Sequence, residues 1–171
     1  QQIDTQVRII HHASDSSKYS LGLQRQELNS ALEFDGTDDY VDLGQAECFN
    51  FGDSQDFTIE CWVKTDSWSK DPAILGNKDW SSGNNQGFVI HCSQDSGETS
   101  NWQLNIQGSE GDRQDILGNE IKDGQWHHLA VSWDRDGLVT LYQDGEEITS
   151  SDISSIGDID TNLPLVIGAD S

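Results

Sequence analysis

The sequence predicts an all-β domain of two packed antiparallel sheets, and three observations predict it. Apolar and polar residues alternate with a period of two in short runs, which is the side-chain period of a strand with one buried face. The runs are separated by turn signals such as Asp35-Gly36 and Asp144-Gly145. No stretch repeats the three-to-four-residue apolar spacing of a long helix. A chain of 171 residues is long enough for one domain with a substantial core and too short for two of ordinary size. That many short strands must close into two layers to bury their apolar faces.

The elements follow in order. Residues 1–30 read as a lead-in segment and first strand region, and residues 31–171 as a single β-sandwich, expected to be truncated at its C-terminus. Residues 31–34 run up to the Asp35-Gly36 turn, and residues 40–43 continue with Val41 and Leu43 on one face. Residues 57–64 give the clearest alternation: Phe57, Ile59, Cys61 and Val63 against Thr58, Glu60, Trp62 and Lys64. Residues 73–75 form a short apolar run. Phe88, Ile90 and Cys92 alternate with Val89 and His91, and Trp102, Leu104 and Ile106 with Gln103 and Asn105. Residues 127–133 place His127, Leu129, Val131 and Trp133 together. Residues 138–143 follow across the hairpin connection 134–137, and residues 165–167 are the last run. Two Gly/Ser/Asp-rich linkers, 79–87 and 95–100, are polar.

Charge narrows the function classes. The chain has 31 Asp and Glu against nine Lys and Arg, a net charge of -22. Nucleic acid and anionic membrane both require basic patches, so both are excluded as partners. No apolar run approaches the length of a membrane span. The excess acid suits cation binding, solubility at high salt, or neutral and basic partners. Within residues 1–30 the acids Asp4, Asp15 and Glu27 cancel against Arg8, Lys18 and Arg25, so the whole net charge falls on residues 31–171. Of the three cysteines Cys48, Cys61 and Cys92, an odd one is left over. Cys61 and Cys92 fall on apolar faces, either as a bridge or as two buried thiols. An opening Gln1-Gln2 suits a processed secreted chain and equally a trimmed one.

Five segments carry a resemblance to a known family. They are Ala31-Leu32-Glu33-Phe34-Asp35-Gly36-Thr37-Asp38-Asp39-Tyr40-Val41, Phe57-Thr58-Ile59-Glu60-Cys61-Trp62-Val63-Lys64, Asp123-Gly124-Gln125-Trp126-His127-His128-Leu129-Ala130-Val131-Ser132-Trp133, Leu141-Tyr142-Gln143-Asp144-Gly145 and Leu165-Val166-Ile167-Gly168. In this order, over about residues 31–170, they resemble the concanavalin A-like laminin-G/pentraxin superfamily. The resemblance implies an antiparallel jelly-roll sandwich, the concanavalin A-like lectin/glucanase fold. It also implies a further Gly-x-Ile-Asp strand beside the N-terminal one. This sequence reaches only Ser171, so that strand is either lost or replaced by another segment.

The same resemblance implies calcium. In pentraxins an acid-amide pair just before the Phe88 strand binds it, and Asn84 and Asn85 stand there; Asp170 follows the Ile-Gly strand. The departures from the family pattern are an Asn where the family has Asp and the absence of the family's remaining acids. Calcium takes six to eight oxygens, and the loop 77–87, with Asp79, is rich in them. Its competing reading is a polar loop shaped by Asn and Gly turns. A second candidate, Asp35, Asp38 and Asp39, begins like an EF-hand loop but has Ala46 at its twelfth position, so a tight turn is the simpler reading.

Among the six Trp, Trp80 and Trp68 lie in polar stretches, where a flat indole can stack on a sugar ring. Trp80 is the expected ligand contact, beside Asp79, Asn84 and Asn85. Trp126 and Trp133 flank the signature strand and are expected in the core. Catalysis finds little support. Laminarinase-type relatives place carboxylates on alternate strand residues at the separation retention needs, and the nearest stretch here offers only Asp158 and Asp160. His91 lacks the Gln of a lyase-like Gln-x-His strand, and His127-His128 reads as structural, one ring facing each side. The expected function is therefore a non-catalytic carbohydrate-binding or adhesion module of a larger secreted, periplasmic or cell-surface protein. Its expected partners are a glycan or glycoconjugate and other domains of the parent chain. A protein–protein adhesion module is the alternative, and a glycoside hydrolase or polysaccharide lyase of the same fold is disfavoured.

Overall fold

A computed structural model describes residues 3–11, 31–68, 70–93 and 100–169. Twelve strands are assigned among them: β1 (Ile3–His11), β2 (Leu32–Phe34), β3 (Val41–Asp42), β4 (Phe57–Lys64), β5 (Ala73–Gly76), β6 (Gly87–Cys92), β7 (Asn101–Gln107), β8 (Arg113–Glu120), β9 (Trp126–Trp133), β10 (Leu138–Gln143), β11 (Glu146–Asp152) and β12 (Val166–Ile167). A 3-10 turn covers Glu47–Phe49. The first sheet runs β11-β10-β9-β4-β1-β2 and the second β3-β12-β5-β6-β7-β8. Every pairing is antiparallel. This is the two-sheet sandwich that the alternation predicts.

Alternation decides which residues meet. On β4, Phe57, Ile59, Cys61 and Val63 are buried, and Trp62 is exposed. They face Phe88, Ile90, Leu104 and Ile106 of the second sheet within one core cluster. Burying each such side chain contributes about 1.5–3 kcal/mol. An aromatic stack joins the layers. Phe57 lies 3.7 Å from Phe51 at 8° and 4.3 Å from Trp133 at 12°. Phe88 of the second sheet tilts against Trp133 at 5.6 Å. Each pair adds about 0.5–1.5 kcal/mol beyond its buried area.

β1 adds something the sequence left undetermined. It pairs with β4 from Asp4↔Lys64 to His11↔Phe57 and with β2 from Ile3↔Phe34 to Thr5↔Leu32.

Two strands lack a strong sequence signal. β8 has the sequence RQDILGNE, with only Ile116 and Leu117 apolar among charged and polar neighbours. β11 reads EEITSSD. Each is the outermost strand of its sheet, where charge blunts edge-to-edge association. Polarity thus hides a strand that needs only one neighbour.

Cys61 and Cys92 are buried free thiols, and Cys48 is an exposed one. Burial pushes the Cys61 thiol up to about 12, with Glu60 adding to it, and raises Cys92 as well. Neither buried group is a nucleophile at neutral pH.

Gly118 sits against the buried Trp102. A Cβ there would lie 2.3 Å from the Trp102 indole. Gly118→Ala is expected to lower unfolding free energy by about 1–3 kcal/mol through overpacking, read as a lower urea midpoint with an unchanged slope.

Candidate functional site

The loop 77–87 gathers four of the sequence-selected residues, and its own architecture engages all four. Asp79 Oδ1 accepts from the Ser81 amide at 2.9 Å. A bond from the Ser81 hydroxyl, followed by the one from its amide, holds the Asp79 carboxyl below the usual range. Asn85 Nδ2 donates to the Asp79 carbonyl at 2.9 Å. Asn84 Oδ1 accepts from Arg113 at 3.2 Å. Trp80 turns back onto the sandwich: its indole donates to the Asp71 carbonyl, and its ring packs 4.6 Å from His91. Beneath the loop, Lys78 is fully buried and donates to the Gly83 carbonyl. Asp170 lies outside the described residues. As placed, the Asn84 carbonyl oxygen faces a guanidinium, which a cation bound there would have to displace.

Several other candidate acids accept backbone amides. Asp35 Oδ1 accepts from the Thr37 amide, and Asp39 Oδ2 from the Asp35 amide, a tight turn as expected. Asp35, Asp38 and Asp39 do converge within 4.8 Å, as do Asp56, Asp134 and Asp136, all of them exposed. Asp158 and Asp160 support backbone. Asp160 Oδ1 takes the Phe51 and Gly52 amides at 2.6 and 2.9 Å, and Asp158 Oδ1 takes the Asp160 amide. Arg135 turns inward from the 134–137 hairpin and donates to the Ile156 and Gly157 carbonyls. On the outer side of the second sheet, β6 and β7 present His91, Gln103, Asn105 and Gln107, all buried. These residues give that face amides and an imidazole in place of a carboxylate pair.

The exposed aromatics lie elsewhere. Trp68, expected to be accessible, is buried and donates to the Ser93 carbonyl, with Lys122 4.7 Å above its ring. Trp126, expected in the core beside Trp133, is 40% exposed, whereas Trp133 is 1% exposed. The reason is parity: Leu129, Val131 and Trp133 point inward, so Trp126 and His128 point outward. Trp62, 45% exposed, shares that outer face. β4 and β9 pair Trp62 with His128 and Lys64 with Trp126, which makes the two indoles diagonal neighbours across adjacent strands. Trp62 and His128 rings lie 5.2 Å apart, and His128 Nε2 is 3.5 Å from Glu60. Tyr142, half-buried, joins this face opposite Ala130. The alternation of 57–64 already placed Trp62 outside. The same rule applied to 126–133 would have found Trp126.

A clamp fixes the end of β9 that carries Trp126. His127 Nδ1 lies 2.8 Å from Asp144 Oδ2, and Nε2 lies 3.1 Å from Asp123 Oδ1. Asp144 also accepts the His128 amide, from a turn conformation with φ 55°. Burial pulls the His127 pKa down, but the two carboxylates outweigh it and the net shift is upward. The Asp144 carboxyl is destabilised by burial and lowered overall by its bonds to His127 and the His128 amide.

Residues 35–171 match the Concanavalin A-like lectin/glucanases superfamily, and the chain belongs to it. No curated protein matches the chain. Its fold is similar to the binding domain of Paraclostridial Mosquitocidal Protein 1, with a TM-score of 0.64 and 23% identity, over 75% of this chain and 32% of that one. It is also similar to the Botulinum Neurotoxin serotype G binding domain, with a TM-score of 0.54 and 12% identity, over 72% and 34%. The chain thus spans about a third of each of these structures, and at such identities the likeness extends to the fold alone.

The His127 clamp gives a pH dependence. Its folded pKa is raised above the ordinary 6.5, so its stabilisation is fully present below that value and fades as pH rises through the folded pKa. Melting temperatures of the wild type and His127→Gln should differ most near pH 6, above the range in which Asp144 and Asp123 protonate, and the gap should narrow by about pH 8. A gap that is constant across this window would remove the charged clamp.

Proposed function

We propose that the chain is a non-catalytic carbohydrate-binding module, with the outer face of the first sheet as its binding surface. The observation that carries this reading is the pair of exposed indoles, Trp62 and Trp126, held on adjacent paired strands. Exposing two Trp to water forgoes their burial. A rigid strand position limits the ordering entropy that a ligand must overcome, and a flat apolar ring beside hydrogen-bonding groups suits the C–H face of a pyranose.

Other observations support the reading without carrying it. Superfamily membership supplies the lectin-type architecture. Both similar structures are of binding domains. Asp158 and Asp160 hold the backbone of residues 51, 52 and 160 instead of facing a cleft, which argues against hydrolysis. The net charge of -22 speaks against nucleic acid and anionic lipid as partners, and no described helix is long and apolar enough to cross a membrane. In this reading the module belongs to a larger secreted, periplasmic or cell-surface protein and needs no calcium at Asn84 and Asn85.

A glycan panel tests it through tryptophan emission and calorimetry, in calcium and in EDTA. Trp62→Ala and Trp126→Ala are each expected to weaken the best ligand about tenfold or more with little change in melting temperature, since both side chains are largely outside the core. Trp80→Phe should leave affinity unchanged. If no glycan alters emission or heat, the protein–protein adhesion reading replaces this one.

A further inference from the structure

We infer that the seam between β2 and β3 is a docking edge for a second polypeptide, an extended segment that alternates apolar residues with Lys or Arg. The inference is independent of the carbohydrate-binding reading and uses another part of the sandwich. β2 ends the first sheet and β3 ends the second, and the two ends meet. Phe34 of β2 packs on Gly168, just after β12: a Cβ there would lie 2.6 Å from the Phe34 ring. β12 in turn pairs with β3, Ile167 with Val41 and Val166 with Asp42. The contact continues to Leu43, whose amide donates to the Leu165 carbonyl at 2.9 Å.

Parity and exposure disagree at this seam. Phe34 is buried, so Leu32, two residues away, points to the same side of β2. Val41 packs against the core, so Leu43 shares its inward parity. Yet Leu32 is 46% exposed and Leu43 37%, and Tyr40 beside them is 61% exposed. These apolar side chains lack the cover that a neighbouring strand would give. Each strand is also the last of its sheet, so one backbone edge faces away from its partner and can template a further strand.

Charge sets the chemistry of the occupant. Residues 31–50 contain Glu33, Asp35, Asp38, Asp39, Asp42 and Glu47 and no Lys or Arg. All six acids are exposed. Carboxylate oxygens of Asp35, Asp38 and Asp39 lie within 4.8 Å of one another. Asp39 and Asp42 accept backbone amides in their own turns, and these neutral donors do not cancel the charge. Among the described residues no ion pair engages Glu33, Asp38, Asp39, Asp42 or Glu47. The base in register with Glu33 is Lys64, two strands away, with Asp4 between them. A second copy of this chain, at a net charge of -22, would be repelled here. A strand bearing Lys or Arg on one face meets the acids, and a cation over the Tyr40 ring adds to the attraction. Its apolar face covers Leu32 and Leu43.

The test measures binding of a labelled alternating Lys-Val peptide to the full chain by fluorescence anisotropy. The comparison is the same peptide N-methylated at every residue, which keeps its charge and side chains but cannot donate to a strand edge. The unmodified peptide is expected to bind at least about tenfold more tightly. Leu32→Ser combined with Leu43→Ser should weaken it about tenfold, and Glu33→Lys should weaken it as well. Leu138→Ser, at an exposed leucine on β10, should leave it unchanged. If the double variant fails to fold, Glu33→Lys, at an exposed position, and the two peptides on the wild type carry the test. Equal binding of the two peptides, binding of neither, or binding insensitive to these changes at the seam overturns the inference. None of these outcomes bears on glycan binding at Trp62 and Trp126, so the two readings stand or fall separately.

Discussion

The contact on which the rest depends is the stacking of Phe57 on Trp133, centroids 4.3 Å apart. These two residues are register partners in the β4–β9 ladder. Both are nearly inaccessible to water, and both touch Phe88 across the sandwich. Side chains on a strand alternate strictly, so fixing one residue inward fixes the orientation of every other residue on both strands. A one-residue slip would expose Phe57, Ile59 and Val63 and drive Trp62, Glu60 and Lys64 into the core. The same contact that closes the core therefore also sets Trp62 and Trp126 on the outer face. Core and binding face are two consequences of one register.

Polar groups fix the segments that alternation does not reach. Asp160 accepts two backbone amides from residues 51 and 52, and Arg135 donates to the carbonyls of residues 156 and 157. Together they tie the segment preceding β4 to the segment preceding β12, which brings Phe51 onto Phe57. Buried backbone groups left unpaired would each cost about 1–3 kcal/mol. Charged side chains that look like catalytic or ligand candidates in sequence are thus satisfying main chain. The polar loop 77–87 behaves in the same way, its Asp and Asn side chains closing turns.

Legibility in the sequence followed periodicity. The strands at 57–64 and 138–143 were readable to the residue, and the inward residues of β6 and β7 were readable too, because their alternating runs pack against a core on one side. β8 and β11 were not, because edge strands need charge more than pattern. β1 was not placed either, since nothing local states that residues 3–11 will lie between β2 and β4. The site was half legible. Trp62 was visible as an outward residue, but its pairing with the strand of Trp126 was not. Trp80 and Trp68 looked accessible because their neighbours are polar, and tertiary contacts with His91 and Ser93 reversed that.

The sequence by itself determined the all-β class, the inward residues of the central strands, the acidic surface and the superfamily, because these follow from local alternation, composition and recurrent segments. Only the tertiary structure decided which strands are neighbours, which aromatics remain in water and which acids are occupied with backbone. Those outcomes depend on pairings between residues 50 to more than 100 positions apart, such as Trp62 with His128 and Asp160 with Phe51. No local pattern carries that information, since a strand's face is written in its own residues but its partner is chosen by the whole chain.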